Sequence, residues 1–401
     1  NGLLKRARRT FHRQVAEALE RLFPDRAEEQ LGILAHHWER AGEAEQAVAY
    51  LQRAGDQARL AYAHEEAVDY YQRALAFLEE MEDHERAART QMKLGLTHDG
   101  AFDFQRGREA YRAGFALWQR ATMAGPAVAI PPAPHALRLF WDEPSGLDPR
   151  VIDESLAGQL LSGLVDHTPN LSIVPDVAAS WEVLDGGHRY LFHLRDDVFW
   201  SDGVPVTAGD FECAWQRVLD PAADPADASL LYDIRGARDY HGGRSRQLGV
   251  SALDDGTLSV ELEAPTGYLL HLLACWFAYP IPRHLVKARG ADWAEPAYLV
   301  TNGPFTLASW QPGDSMVLER NRRYHGLVAG NVDRVELTFF QEGDRSTAEE
   351  TYHAGLSDIM DPRVSIAGMK RLRKSHASEW VTLPSANTGI IVFDASRPPF
   401  D

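Results

Sequence analysis

The sequence predicts a multidomain chain, an all-α helical repeat followed by a mixed α/β domain, and three observations carry that expectation. Up to about residue 122, small and apolar residues recur in a fixed frame: Ala27/Leu31/Leu34, Ala47/Leu51/Ala54, Ala67/Tyr71/Ala74, Ala87/Gln91/Leu94 and Gly107/Tyr111/Gly114, each set 20 residues after the last. Four prolines, Pro126, Pro131, Pro132 and Pro134, then crowd residues 123–136. From Leu137 and Leu139 onward, apolar residues alternate with polar ones at the period of strands.

In the first part, two helices make a repeat of about 40 residues, and such units bury their faces only by stacking into a solenoid. Phe23-Pro24-Asp25 and Ala41-Gly42-Glu43 punctuate the helices. The neighbours His36 and His37 point about 100° apart on a helix, so a solvated or structural role is expected for them rather than metal binding. The prolines of 123–136 favour an extended spacer. Residues 1–122 and 137–401 are therefore expected to be separable bodies.

The second part is organised around Ile173 to Pro221. Tyr190, Phe192 and Leu194 alternate as a half-buried strand, Asp202-Gly203 supplies a turn, and Thr207 with Asp210 matches a capping box. Phe211, Ala214, Trp215 and Val218 give the helix one apolar face. Asp153 can cap a helix carrying Leu156, Leu160, Leu161 and Leu164. Val250–Ala252 and Leu258/Val260/Leu262 flank a hairpin turn, Gly267 to Ala278 reads as one apolar helix, and Thr301–Leu307, Ser315–Leu318 and Val335–Phe340 read as strands. A helix is expected over Ser346–His353, and a strand pair over Val381–Phe393. Trp181, Trp200 and Trp215 are expected to be structural.

Two stretches resemble known families. VPDVAASWEV (Val174 to Val183), FHLRDDVFWSDGVPVTAGDF (Phe192 to Phe211) and AWQRVLDP (Ala214 to Pro221) resemble the family 5 extracellular solute-binding proteins, the binding components of ABC importers, in their oligopeptide-binding wording. The likeness starts at Leu147-Asp148-Pro149 and takes in SGLV (Ser162 to Val165), TNGPFTLASWQPGD (Thr301 to Asp314), LERNRRYHG (Leu318 to Gly326) and RPPFD (Arg397 to Asp401). LAHHWERAGEAEQAVAYLQRAGDQA (Leu34 to Ala58) is similar to the TPR-like arm behind the ATPase module of large bacterial signalling proteins.

The first resemblance implies an α/β periplasmic-binding-protein-like domain of type II over 137–401, with only its first lobe or lobes in this chain. It implies a peptide or small polar solute held between lobes, and carries ligand-contacting positions onto Asp153, Ser155, Asn302, Phe305, Phe339 and Gln341. Asp227 stands where peptide binders have an aromatic, and Asp394 where the family has Asn. The second resemblance implies a protein partner for the arm and an ATPase module upstream in the same polypeptide.

Composition bounds the alternatives. A net charge of −17 argues against a general nucleic-acid surface, and KRARR (Lys5 to Arg9) reads as a solvated helix face. Cys213 and Cys275 fit neither a disulfide framework nor a metal site. No run approaches the ~20 apolar residues of a membrane span. H-E-x-x-H, G-x-S-x-G, C-x-x-C and G-x-x-x-x-G-K-[ST] are missing from the sequence, so a non-enzymatic binding protein without cofactor or metal is expected. The start shows no signal peptide or Met, and the chain stops inside a family motif, so it reads as a segment of a longer polypeptide. A cytoplasmic sensor module leads. The alternatives are a peptide importer's binding component, placed in the periplasm or at the cell surface, and a scaffold with a degenerate domain.

Overall fold

A computed structural model describes residues 2–23, 28–124, 135–168, 172–223, 228–326, 332–340, 348–359 and 366–381. The first part is helical: α1 (Gly2–Leu22), α2 (Leu31–Ala41), α3 (Ala44–Leu60), α4 (His64–Glu80), α5 (His84–Gly100) and α6 (Phe104–Ala124). Each packs on the next. The small frame residues sit at these seams: Ala47, Leu51, Ala67, Tyr71, Ala74 and Ala87 are buried.

The corners repeat with the helices. Gly42, Tyr62, Glu82 and Phe102 all take left-handed backbone, with φ of 75°, 59°, 56° and 60°. That conformation closes a helix and frees the chain to turn back. Only the first corner uses glycine.

The mixed part contains two four-stranded sheets and a short hairpin. One sheet has the order β1 (His135–Trp141), β10 (Val332–Phe339), β9 (Ser315–Arg320), β8 (Phe305–Gln311). Its β1 and β10 run parallel and its other pairs antiparallel. The other is antiparallel in the order β4 (Ala178–Leu184), β5 (Arg189–Leu194), β7 (Thr257–Glu261), β6 (Val250–Asp254). β2 (Val165–His167) and β3 (Ile173–Pro175) pair beside them. Helix α7 (Glu154–Leu160) follows the Asp153 cap, and α8 (Ala208–Val218) carries the expected capping box.

Asp210, buried on α8, ties several segments together. Its carboxylate accepts from Thr207 N at 2.8 Å and Thr207 Oγ1 at 3.1 Å, from Arg283 N at 2.9 Å, and from Trp200 Nε1 at 3.5 Å. Trp215, on the same helix, is fully buried and donates Nε1 to the Ala278 carbonyl at 2.9 Å. Both tryptophans are core with their polar atom satisfied, as burial of an indole requires.

Some boundaries differ from expectation. The apolar run 267–278 is not one helix but a turn of helix at Leu269–Leu273 and a 3-10 turn at Trp276–Ala278, because Cys275 takes extended backbone between them. The strand expected from Thr301 starts at Phe305, since Thr301 and Asn302 spend their hydrogen bonds outside any ladder. The helix expected from Ser346 is described over Ala348–His353. The strand pair over Val381–Phe393 lies outside the described residues except for Val381.

The arm and the mixed part pack against each other. Met92, Leu96, Phe104 and Tyr111 of α5 and α6 belong to the same hydrophobic cluster as Trp181, Tyr190 and Phe192. Trp181 meets Tyr111 and Phe115 edge-on, with ring centroids 5.2 and 4.9 Å away. The sequence hid this because each of those aromatics also fits the periodicity of its own element.

Two stability outcomes follow. Tyr62 is 82% exposed in a left-handed conformation, so Tyr62→Gly removes a backbone penalty of about 1 kcal/mol and raises the thermal midpoint. Trp215→Ala opens a core cavity and lowers stability by about 3–5 kcal/mol in denaturant titration. An unchanged midpoint for Trp215→Ala would mean its burial contributes nothing.

Candidate functional site

The carboxyl ends of β1 and β10 run out side by side, and α/β sheets present ligands at that edge of parallel strands. The Phe340 amide donates to the Trp141 carbonyl at 3.0 Å and the Phe339 amide to the Asp314 carbonyl at 2.9 Å. Phe140 packs against Phe340, centroids 5.7 Å apart. Trp141 and Phe340 are half-buried.

Carboxylates orient the indoles at this rim. Trp141 Nε1 donates to Asp153 Oδ2 at 3.2 Å, while Asp153 Oδ1 accepts from the Ser155 and Leu156 amides at 3.0 and 3.1 Å. Trp310 Nε1 donates to Glu143 Oε1 at 3.1 Å, and the Gly313 amide also points at that carboxylate. The result is two exposed carboxylates, each hydrogen-bonded to a half-buried tryptophan that packs against the core.

Behind the rim, the TNGPF segment clasps α7. Asn302 is fully buried and pairs with one residue through both ends of its amide: Oδ1 accepts from Ser162 N at 3.1 Å and Nδ2 donates to Ser162 O at 3.0 Å. The Gly303 amide donates to the Leu160 carbonyl at 2.9 Å, and a Cβ there would lie 2.5 Å from Leu160 C and Leu161 N. Only glycine allows that approach. The Ser201 amide donates to Thr301 O at 2.8 Å, joining the 200–203 turn to the clasp. Nearby, His325 and Asp176 are bonded at 2.6 Å with almost no exposure. Partial desolvation and the charge of Asp176 push the Asp166 carboxyl up to about 6.

Of the sequence-derived candidates, Asp153 and Ser155 lie exposed at the rim. Asn302 lies in the clasp, and Phe305 and Phe339 are core residues beneath it. Gln341, with Asp227 and Asp394, lies outside the described residues. Sequence reasoning missed Trp141, Glu143 and Trp310. Their one signal was the acidic pair Asp142-Glu143 directly after a strand.

His36 and His37 do not simply diverge into solvent. Both rings reach His12, at centroid distances of 5.9 and 5.1 Å, and His12 and His37 share a hydrogen bond between Nδ1 atoms at 3.0 Å. Even so, no group of three or more side chains among the described residues is arranged to hold a metal ion. Nor is any described helix long and apolar enough to cross a membrane.

A lobe with an aromatic and carboxylate rim at the ends of parallel strands defines a class of ligand-binding domain, and comparison with known proteins supplies the family. The model of bacterial extracellular solute-binding proteins, family 5, matches residues 172–401. The chain belongs to that family. It is 33% identical over 267 residues to the periplasmic oligopeptide-binding protein OppA of Escherichia coli, covering 65% of this chain and 49% of the relative. The same identity and coverage hold for the probable deoxycholate-binding periplasmic protein YgiS of that organism. Among solved structures, Haemophilus influenzae OppA in complex with RPPGFSPFR superposes with a TM-score of 0.57 at 29% identity, over 61% of this chain and 49% of that one. This chain thus spans about half the length of the relatives it matches.

These findings correct one expectation. The cytoplasmic placement rested on what begins the sequence and on the helical arm, whereas the family is extracellular by description and the relatives just named are periplasmic.

The clasp has a measurable consequence. Asn302→Ala leaves the buried amide and carbonyl of Ser162 without partners, and stability falls by about 2–4 kcal/mol in urea titration. A loss under 0.5 kcal/mol would show that the clasp relaxes freely.

Proposed function

We propose that this chain provides one side of a peptide-binding cleft and acts, without catalysis, as part of the substrate-binding component of a peptide importer. The family match carries the reading: oligopeptide-binding proteins recur among the relatives, and one solved relative holds a nonapeptide. The rim supports it. An extended peptide offers backbone amides, apolar side chains and positive charge, which suit a strand edge, half-buried indoles and fixed carboxylates. Asp153 and Ser155 would meet the ligand directly, with Trp141 and Phe340 beneath it. Asn302, Phe305 and Phe339 would hold that surface in place. YgiS, named for deoxycholate binding, makes an amphipathic steroid carboxylate the competing chemistry.

A second reading, a binding domain that reports its state to the helical arm and through it to a protein partner or an upstream ATPase, draws on the core shared by α5, α6 and β4.

Calorimetry with three- to five-residue peptides tests the first reading. With one side of the cleft, affinity should be roughly millimolar, about −4 kcal/mol, and Trp141→Ala should abolish it. Extending the protein over the further half its relatives possess should tighten binding at least about tenfold, because closure between lobes excludes water from each polar contact. Equal micromolar affinity with and without the extension would place the site wholly within residues 137–401 and end the interlobe model.

A further inference from the structure

The seam between the arm and the β4–β5 face contains a polar pair that neither the fold nor the rim uses. Asp99, in the last turn of α5, is 1% exposed. Its Oδ2 accepts from the Tyr111 hydroxyl at 2.9 Å, but Oδ1 is buried without any partner. Asp99 sits at a close approach within the seam. Its carboxylate fills the space a side chain at Gly107 would need, and its backbone carbonyl lies 2.6 Å from where a Cβ on Gly267 would stand. The ring of Tyr111 in turn packs on Trp181. Asp99 therefore meets α6 through its carboxylate and the domain at Gly267 through its backbone carbonyl, while one carboxylate oxygen has no hydrogen-bond partner.

We propose that the arm docks reversibly on the β4–β5 face, and that Asp99 is a proton-controlled latch which holds the dock in its neutral form and loosens it when ionised. A neutral carboxyl tolerates an unpartnered oxygen far better than a carboxylate does. The titratable and charged groups facing it do not rescue the anion. Tyr111 from α6 donates once, Asp103 at the α5–α6 turn repels, Tyr190 from β5 comes close without donating, and Arg59 of α3 acts on Tyr111 rather than on Oδ1. Burial is the main cause that pushes Asp99 up to about 7, with Asp103 adding to it and the Tyr111 bond opposing it. The sign is fixed by linkage. The docked state holds the proton and the undocked state releases it at about 3.9, so docking weakens as pH rises from about 4 to 7 and levels off above that.

Hydrogen exchange on the whole chain tests the latch, with protection corrected for the intrinsic pH dependence of exchange. Between pH 5 and 8, protection of residues 104–118 and 178–184 should fall up to about a hundredfold, tenfold per pH unit below the midpoint. Residues 208–218 of α8 serve as the internal reference and should not change. In Asp99→Asn, which cannot ionise, protection of the seam should be flat over the same range. If that variant fails to fold, Tyr111→Phe keeps the ring on Trp181 and removes the one bond favouring the anion, so the midpoint should move to higher pH. A pH-independent seam in the wild type, a wild-type slope in Asp99→Asn, or an unmoved midpoint in Tyr111→Phe would each overturn the proposal.

Discussion

The pairing of Asn302 with the backbone of Ser162 is the constraint on which the rim depends. It joins positions 140 residues apart with both hydrogen bonds fully buried. A side-chain amide presents one donor and one acceptor in the same spacing as a peptide group, so it completes a ladder where no strand is available. Held this way, the end of α7 cannot slide, and the Asp153 cap at its other end stays in reach of Trp141. Asp210 does the same for the opposite side, gathering Trp200, Thr207 and Arg283 around one carboxylate. Single buried polar side chains, rather than long sheets, fix how the segments meet. Each is costly to bury alone and fully satisfied in place, which makes alternative packings expensive.

Much of this was legible in the sequence, for reasons that differ by element. The 20-residue frame of the arm and the capping box at Thr207 and Asp210 are local, and local signals depend only on neighbours in the chain. The hairpin β6–β7 was likewise visible from its turn residues. The long strand start at Thr301 was misread because polar residues that bond to distant backbone look the same as the start of a strand. The break at Cys275 was missed because an apolar run carries no periodic mark of where it bends.

The candidate site divides along the same line. Asp153 was visible as a helix cap, a local role, and its contact with Trp141 was not, because that contact spans a loop. Asn302, Phe305 and Phe339 came from likeness to a family, and in this structure they occupy the clasp and the core beneath the rim. The arm's attachment to Trp181 had no precursor in either reasoning. A solute-binding domain offers no motif for a partner it acquires from a neighbouring helical repeat.

The corners of the arm carry a consequence for how the protein tolerates change. Because Gly42, Tyr62, Glu82 and Phe102 share one backbone state at equal intervals while differing in side chain, the phase of each helix is set by counting residues, not by recognising them. One residue added or removed within α6 ahead of Tyr111 would turn the rest of that helix by about 100° about its axis and carry Tyr111 away from Trp181. Evolution can therefore exchange letters at these corners, whereas a change of length inside a helix shifts every contact after it. The binding domain, packed against the last two helices, makes that shift costly.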